Sequence, residues 1–105
     1  MTRRIASVRI NLLASEAGGR STALCSGYRS LLRFEGNSSD FGFELLLDSQ
    51  EGVNQISPGG EGFGRISLWA IDYVPLLYAG QRFEVREGLT VVGHGVILDP
   101  LNSGS

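Results

Sequence analysis

Hydrophobic and polar residues alternate along most of this chain with a period of two. In Ile5–Leu13 the apolar residues Val8, Ile10 and Leu12 interleave with Ser7, Arg9 and Asn11. That is the spacing of a strand with one face against a core and the other toward water. Leu24–Glu35 reads as a second strand region, with Tyr28, Leu31, Leu32 and Phe34 as its apolar content. Phe41–Asp48 places Phe41, Phe43, Leu45 and Leu47 on one face. Arg65–Val74 does the same with Ile66, Leu68 and Ala70. Gln81–Glu87 and Thr90–Leu98 form a closing pair joined tightly at Gly88-Leu89.

Turn formers separate these runs. Gly18-Gly19 ends the first, and Gly36-Asn37-Ser38-Ser39-Asp40 divides the second from the third. Ser49–Gly64, with Gly at 52, 59, 60, 62 and 64, reads as the least ordered part; Pro75–Gly80 is a connector, and 100–105 a frayed tail. No ten-residue stretch carries a helical period. About six strands with frequent turns predict an all-β fold, a six-stranded antiparallel closed β-barrel over about residues 5–98. Closure is favoured over a sandwich because a small flat sheet leaves two edges unpaired. We find neither an internal repeat nor a second domain, so 1–105 reads as a single domain, which its length suits.

Composition narrows the chemistry. All nine basic residues are Arg, so lysine-based nucleophiles and a lysine-bearing phosphate loop are excluded. The net charge is −2, but residues 1–34 carry +5 and residues 35–105 carry −7. The overall charge does not favour non-specific nucleic-acid binding, and no DNA partner is expected. The single Cys25 rules out an intrachain disulfide and is compatible with a reducing cytoplasm. Met1-Thr2-Arg3-Arg4 is not followed by a signal-like apolar run, and no segment approaches 18 apolar residues, so a cytoplasmic protein with no membrane partner is expected.

Four motifs then point to a family. Gly18-Gly19-Arg20 and Gly27-Tyr28-Arg29 stand near one end of the chain, and Ser57-Pro58-Gly59 in the middle. Arg82-Phe83-Glu84-Val85-Arg86-Glu87-Gly88 runs into Val92-Gly93-His94-Gly95-Val96 near the other end. In this order, over roughly residues 6–98, they resemble the third domain of bacterial elongation factor Tu. The resemblance implies the six-stranded barrel of translation factors, here free-standing. In that family the barrel grips the T stem of aminoacyl-tRNA through phosphate and sugar contacts. The matching positions here are Arg20, Arg29 and Gly88.

The chain departs from the family at Ser21 for His, Thr22-Ala23-Leu24 for Thr-Pro-Phe, Ser30-Leu31 for Pro-Gln and Leu89-Thr90 for Gly-Arg. With a polar Gln replaced by Leu31 and an acidic balance overall, the expectation moves from RNA toward a protein partner. The expected role is a non-catalytic binding module acting as a decoy, competitor or immunity-type protein through Arg20, Arg29, Arg86 and Gly88. Weak tRNA recognition at the same surface is the alternative, and a small enzyme built on Cys25 and His94 the second alternative.

Other candidates read as structural. Gly60-Glu61-Gly62-Phe63-Gly64 is expected to be a flexible loop, because a phosphate cradle needs a strand before it and a helix after it. His94 lacks companions for a metal site and is assigned a packed or surface role. Arg20, Arg29 and Arg86 have a competing reading as salt bridges at loop ends. Trp69 and Tyr73 are expected in the core, with an outward interface anchor as the other possibility. No catalytic residue, cofactor or metal site is expected, and the oligomeric state stays open.

Overall fold

The structure, a computed structural model, describes residues 4–48, 54–69 and 76–100. The alternating runs become strands: β1 (Arg4–Leu12), β3 (Tyr28–Phe34), β4 (Phe41–Leu47), β6 (Glu61–Leu68), β7 (Arg82–Glu87) and β8 (Thr90–Asp99). Two short strands, β2 (Leu24–Cys25) and β5 (Gln55–Ile56), pair with each other. The six long strands close in the order β1-β6-β4-β3-β7-β8, with every neighbouring pair antiparallel. Closure leaves none of the six with an unpaired edge, the solution expected for so small a sheet.

Apolar positions at every second residue point inward. Ala6, Val8, Ile10 and Leu12 of β1 are buried, as are Phe41, Phe43 and Leu45 of β4, Ile66 and Leu68 of β6, and Phe83 and Val85 of β7. Phe43 stands opposite Leu68, and Leu45 opposite Ile66, so large side chains meet across the ladder. Phe34 packs against Phe41 and Phe83 with ring centroids 5.9 and 6.1 Å apart. At one end the β2–β5 ribbon covers the opening with buried Leu24 and Ile56, while Leu77 and Gln81 are buried toward the other end.

Three expectations need correction. Leu24–Glu35 is not one strand region: a turn at Ser26-Gly27 divides it, where the Leu47 amide donates to Ser26 Oγ at 3.0 Å and the Gly27 amide to the Leu45 carbonyl at 2.8 Å. Glu61–Gly64 is not a loop but the first half of β6, with Glu61 opposite Asn11 and Gly62 opposite Ile10. Its glycines have no side chain to alternate, so hydropathy gave no strand signal, yet the space beside them is taken. A Cβ on Gly62 would come within 2.6 Å of the Ile56 side chain. Trp69 is the third. Following inward Leu68, it lies outside the barrel and covers the outer side of Gly42, where an added Cβ would stand 3.0 Å from the indole. The predicted extension of this strand through Ala70–Val74, and Tyr73 with it, lies outside the described residues, as does the tail from 101. Among the described residues no helix is long and apolar enough to cross a membrane.

Candidate functional site

The β7–β8 hairpin gathers most of the expected residues at the end of the barrel that carries the β2–β5 ribbon. Gly88, at φ +63°, makes the turn in the left-handed region that glycine enters without a Cβ penalty. Leu89 beside it is 92% exposed. Just before the turn, Glu87 receives two donors: Arg20 Nη1 forms an ion pair with it, and the Tyr28 hydroxyl donates to it at 2.6 Å. The Arg20 guanidinium also lies 5.1 Å from the centroid of the Tyr28 ring, and its Nε donates to the Thr22 carbonyl at 3.3 Å. Arg20, Tyr28 and Glu87 thus tie the loop after β1 to the start of β3 and the end of β7.

Arg86 leaves β7 on the outer face, next to a register shift between Val85 and Arg86 that places it opposite Val91. Such bulges commonly redirect one side chain. Here the guanidinium meets Glu84 at 2.9 Å and reaches the Leu89 carbonyl at 3.4 Å, while its buried Nε lies 4.0 Å from Asp40 and makes no hydrogen bond. Arg29 turns toward β4 instead. It pairs with Glu44 at 3.3 Å and stacks with its guanidinium 5.6 Å from the Trp69 ring centroid. The structure therefore joins Arg20, Arg86 and Gly88 at one hairpin and leaves Arg29 on the neighbouring wall.

Each of the three arginines has a carboxylate. An arginine open to water, as Arg29 is, gains only about 0–1 kcal/mol from such a pair; around the half-buried Arg20 and the more enclosed Arg86 the pairs fix the shape and charge of the surface. Arg33, partly exposed, also has a carboxylate: its hydrogen bond to Asp40 raises its pKa. For Arg20, burial opposes the charge, but the Glu87 carboxylate outweighs it and the pKa is raised.

Tyr28 is the most perturbed group of this end. Burial, then the hydrogen bond to Glu87, pushes its phenol up to about 12 from 10. A folded-state pKa raised above the unfolded value gives stability that is full below pH 10 and lost as pH climbs through 12. We expect the melting temperature to fall between these two values. The Tyr28→Phe variant should lack the phenol that titrates near 12 in an absorbance titration and should show a flatter alkaline decline in melting temperature. An unchanged profile in that variant would remove Tyr28 from the account.

Cys25 and His94 occupy different sheets: Cys25 is exposed on the ribbon opposite Gln55, and His94 is exposed on β8 between Asn11 and Glu84. No hydrogen bond joins them among the described residues. Nor does any group of three His, Cys, Asp or Glu side chains there have the arrangement to hold a metal ion.

A second feature escaped the sequence. A groove of about 880 Å³ runs over the outer face of β1, β8, β7 and β3, lined by Arg9, Asn11, Arg33, Arg82, Glu84 and His94 among others. Alternation marks each of these as outward, but only the order of strands round the barrel brings them together. Tyr28 was also missed as a polar residue, since its ring packs edge-on against Phe43 at 6.0 Å while its hydroxyl works at the rim. No protein-family model matches the chain.

Proposed function

We propose that this barrel is a non-catalytic binding module that recognises a protein partner through its β7–β8 hairpin. The observation that carries the reading is the fully exposed Leu89 framed by charges that are already balanced: Arg20 by Glu87, Arg86 by Glu84 and, on the adjoining wall, Arg29 by Glu44. A phosphate backbone is held by cations whose charge is free to replace its counterions. A protein interface, in contrast, combines an apolar centre with a paired polar rim. The motif resemblance to elongation factor Tu supports a role as a decoy or competitor for a protein that engages that barrel, with an immunity-type function as one form of it. The exposed free thiol of Cys25 supports a reducing compartment, and we place the module in the cytoplasm.

Three measurements test this. A photo-crosslinking residue at position 89, in the cell that makes the protein, should yield one dominant protein adduct, whereas the same group at position 98 should not. Leu89→Asp should weaken capture of that partner by about 10- to 100-fold, the worth of burying one leucine. Labelled tRNA should show no association below tens of micromolar at either low or moderate salt. Tight tRNA binding that falls steeply with salt would replace the protein reading with the RNA one.

A further inference from the structure

We propose that the outer-face groove is a binding site for a small phosphate monoester with a hydroxyl-bearing body, a site separate from Leu89 and the hairpin tip. The argument starts from register. Val96 on β8 stands opposite Arg9 on β1 and opposite Arg82 on β7. One step along, His94 stands opposite Asn11 and Glu84, and Glu84 opposite Arg33. Outward side chains one strand to either side of Val96 are therefore two arginines, about 10 Å apart at their Cα atoms given the usual strand spacing. Both line the same groove.

The charges are not equally available. Arg33 is held by Asp40 at 2.8 Å and Arg86 by Glu84 at 2.9 Å. Arg9 has only a long contact with Glu61, 3.9 Å between two half-exposed side chains. Arg82 is exposed and has no carboxylate within ion-pairing distance among the described residues. The row with the least neutralised cations is thus Arg9–Val96–Arg82, over a small apolar floor.

Two forks approaching from opposite sides suit a terminal phosphate. Its three outer oxygens can accept from both arginines, whereas one carboxylate is saturated by a single bidentate fork. The next row offers donors and acceptors for hydroxyls: the Asn11 amide, the His94 ring and the Glu84 carboxylate, with Glu35 at the groove margin. These acids also argue against a long phosphodiester, which would have to run past Glu35 and Glu84. The volume, about 880 Å³, is in the range of small-molecule sites, about 300–1,000 Å³.

The test is titration of the full chain, followed by backbone amide NMR, with ribose 5-phosphate, inorganic phosphate, ribose and a short single-stranded RNA. We expect ribose 5-phosphate to shift the amides of Arg82–Glu84 and His94–Ile97 and to bind at least about tenfold more tightly than inorganic phosphate, with ribose silent. Arg82→Ala and Arg9→Ala should each weaken it about tenfold, Arg82→Lys should recover part of the loss, and Arg65→Ala, an exposed arginine on β6, should leave it unchanged. Leu89→Asp should leave it unchanged too, so loss of the hairpin partner and loss of this site are read separately. Equal binding of inorganic phosphate, indifference to Arg82→Ala, or binding of the RNA alone would overturn the proposal.

Discussion

Truncating Phe43 to alanine is expected to lower the unfolding free energy by about 3–5 kcal/mol, the range for removing a fully buried aromatic from a packed core. Phe43 has no exposed surface, faces Leu68 across the β4–β6 ladder and takes the edge of the Tyr28 ring. In a closed barrel the surrounding strands are tied to one another on both sides, so the wall has little freedom to collapse into the space left behind. Domains of this size have about 5–15 kcal/mol in total, so the variant should lose about a fifth of its stability or more. At about 4–8 °C per kcal/mol, the melting temperature should fall by more than about 12 °C. Phe63→Ala is the matched control. Phe63 has the same chemistry but lies on the outer face of β6, 42% exposed, and should change stability by no more than about 0.5 kcal/mol. Similar losses in both variants would mean that inward and outward faces are wrongly assigned, and the barrel would go with them.

The inward face was legible because the chemistry is local. In Val8-Arg9-Ile10-Asn11-Leu12 each residue declares its own side, and the structure buries Val8, Ile10 and Leu12. The same logic fails at Glu61–Gly64, where two glycines stand at positions that a strand would fill with side chains. What makes that segment a strand is its pairing with β1 and, at Gly64, with β4, while Ile56 and the β4 backbone occupy the space beside its glycines, and those neighbours are distant in sequence. Trp69 shows a different limit. Large aromatics usually fill volume, but parity after Leu68 sends this one outward, onto the bare backbone of Gly42 and under Arg29.

At the hairpin, the sequence motifs named Arg20, Arg86 and Gly88, and the fold brings them together. It could not name their partners. Glu87 lies 67 residues from Arg20, and whether an arginine is matched by an acid or left open to a ligand depends on that pairing. The contrast between Arg86, 12% exposed and held between acids, and Arg82, exposed and unmatched among the described residues, is a property of the closed sheet. Two arginines four residues apart on one strand thus acquire opposite prospects: one shapes a surface and the other is left to bind.

Gly64→Ala is the second substitution expected to cost heavily, by about 3 kcal/mol or more, above the usual cost of one added methylene. Gly64 is buried on β6, opposite Val8 on one side and Leu47 on the other. A Cβ there would overlap the Leu46 carbonyl oxygen and come within 2.9 Å of Leu47 Cα. Both obstacles are backbone. A rotamer change cannot relieve them, so β4 and β6 would have to move apart, against hydrogen bonds that close the barrel. Gly36→Ala separates this steric cost from the loss of glycine itself. Gly36 lies in the β3–β4 turn at φ +81° with nothing within 4 Å of an added Cβ, so alanine should cost only the left-handed penalty of about 1–2 kcal/mol. Chemical denaturation of the two variants decides the matter. A Gly64→Ala protein as stable as Gly36→Ala would show that the strands at this seam are not in contact, and a wall open there could not hold the register that aligns Arg9, Val96 and Arg82 on the far side.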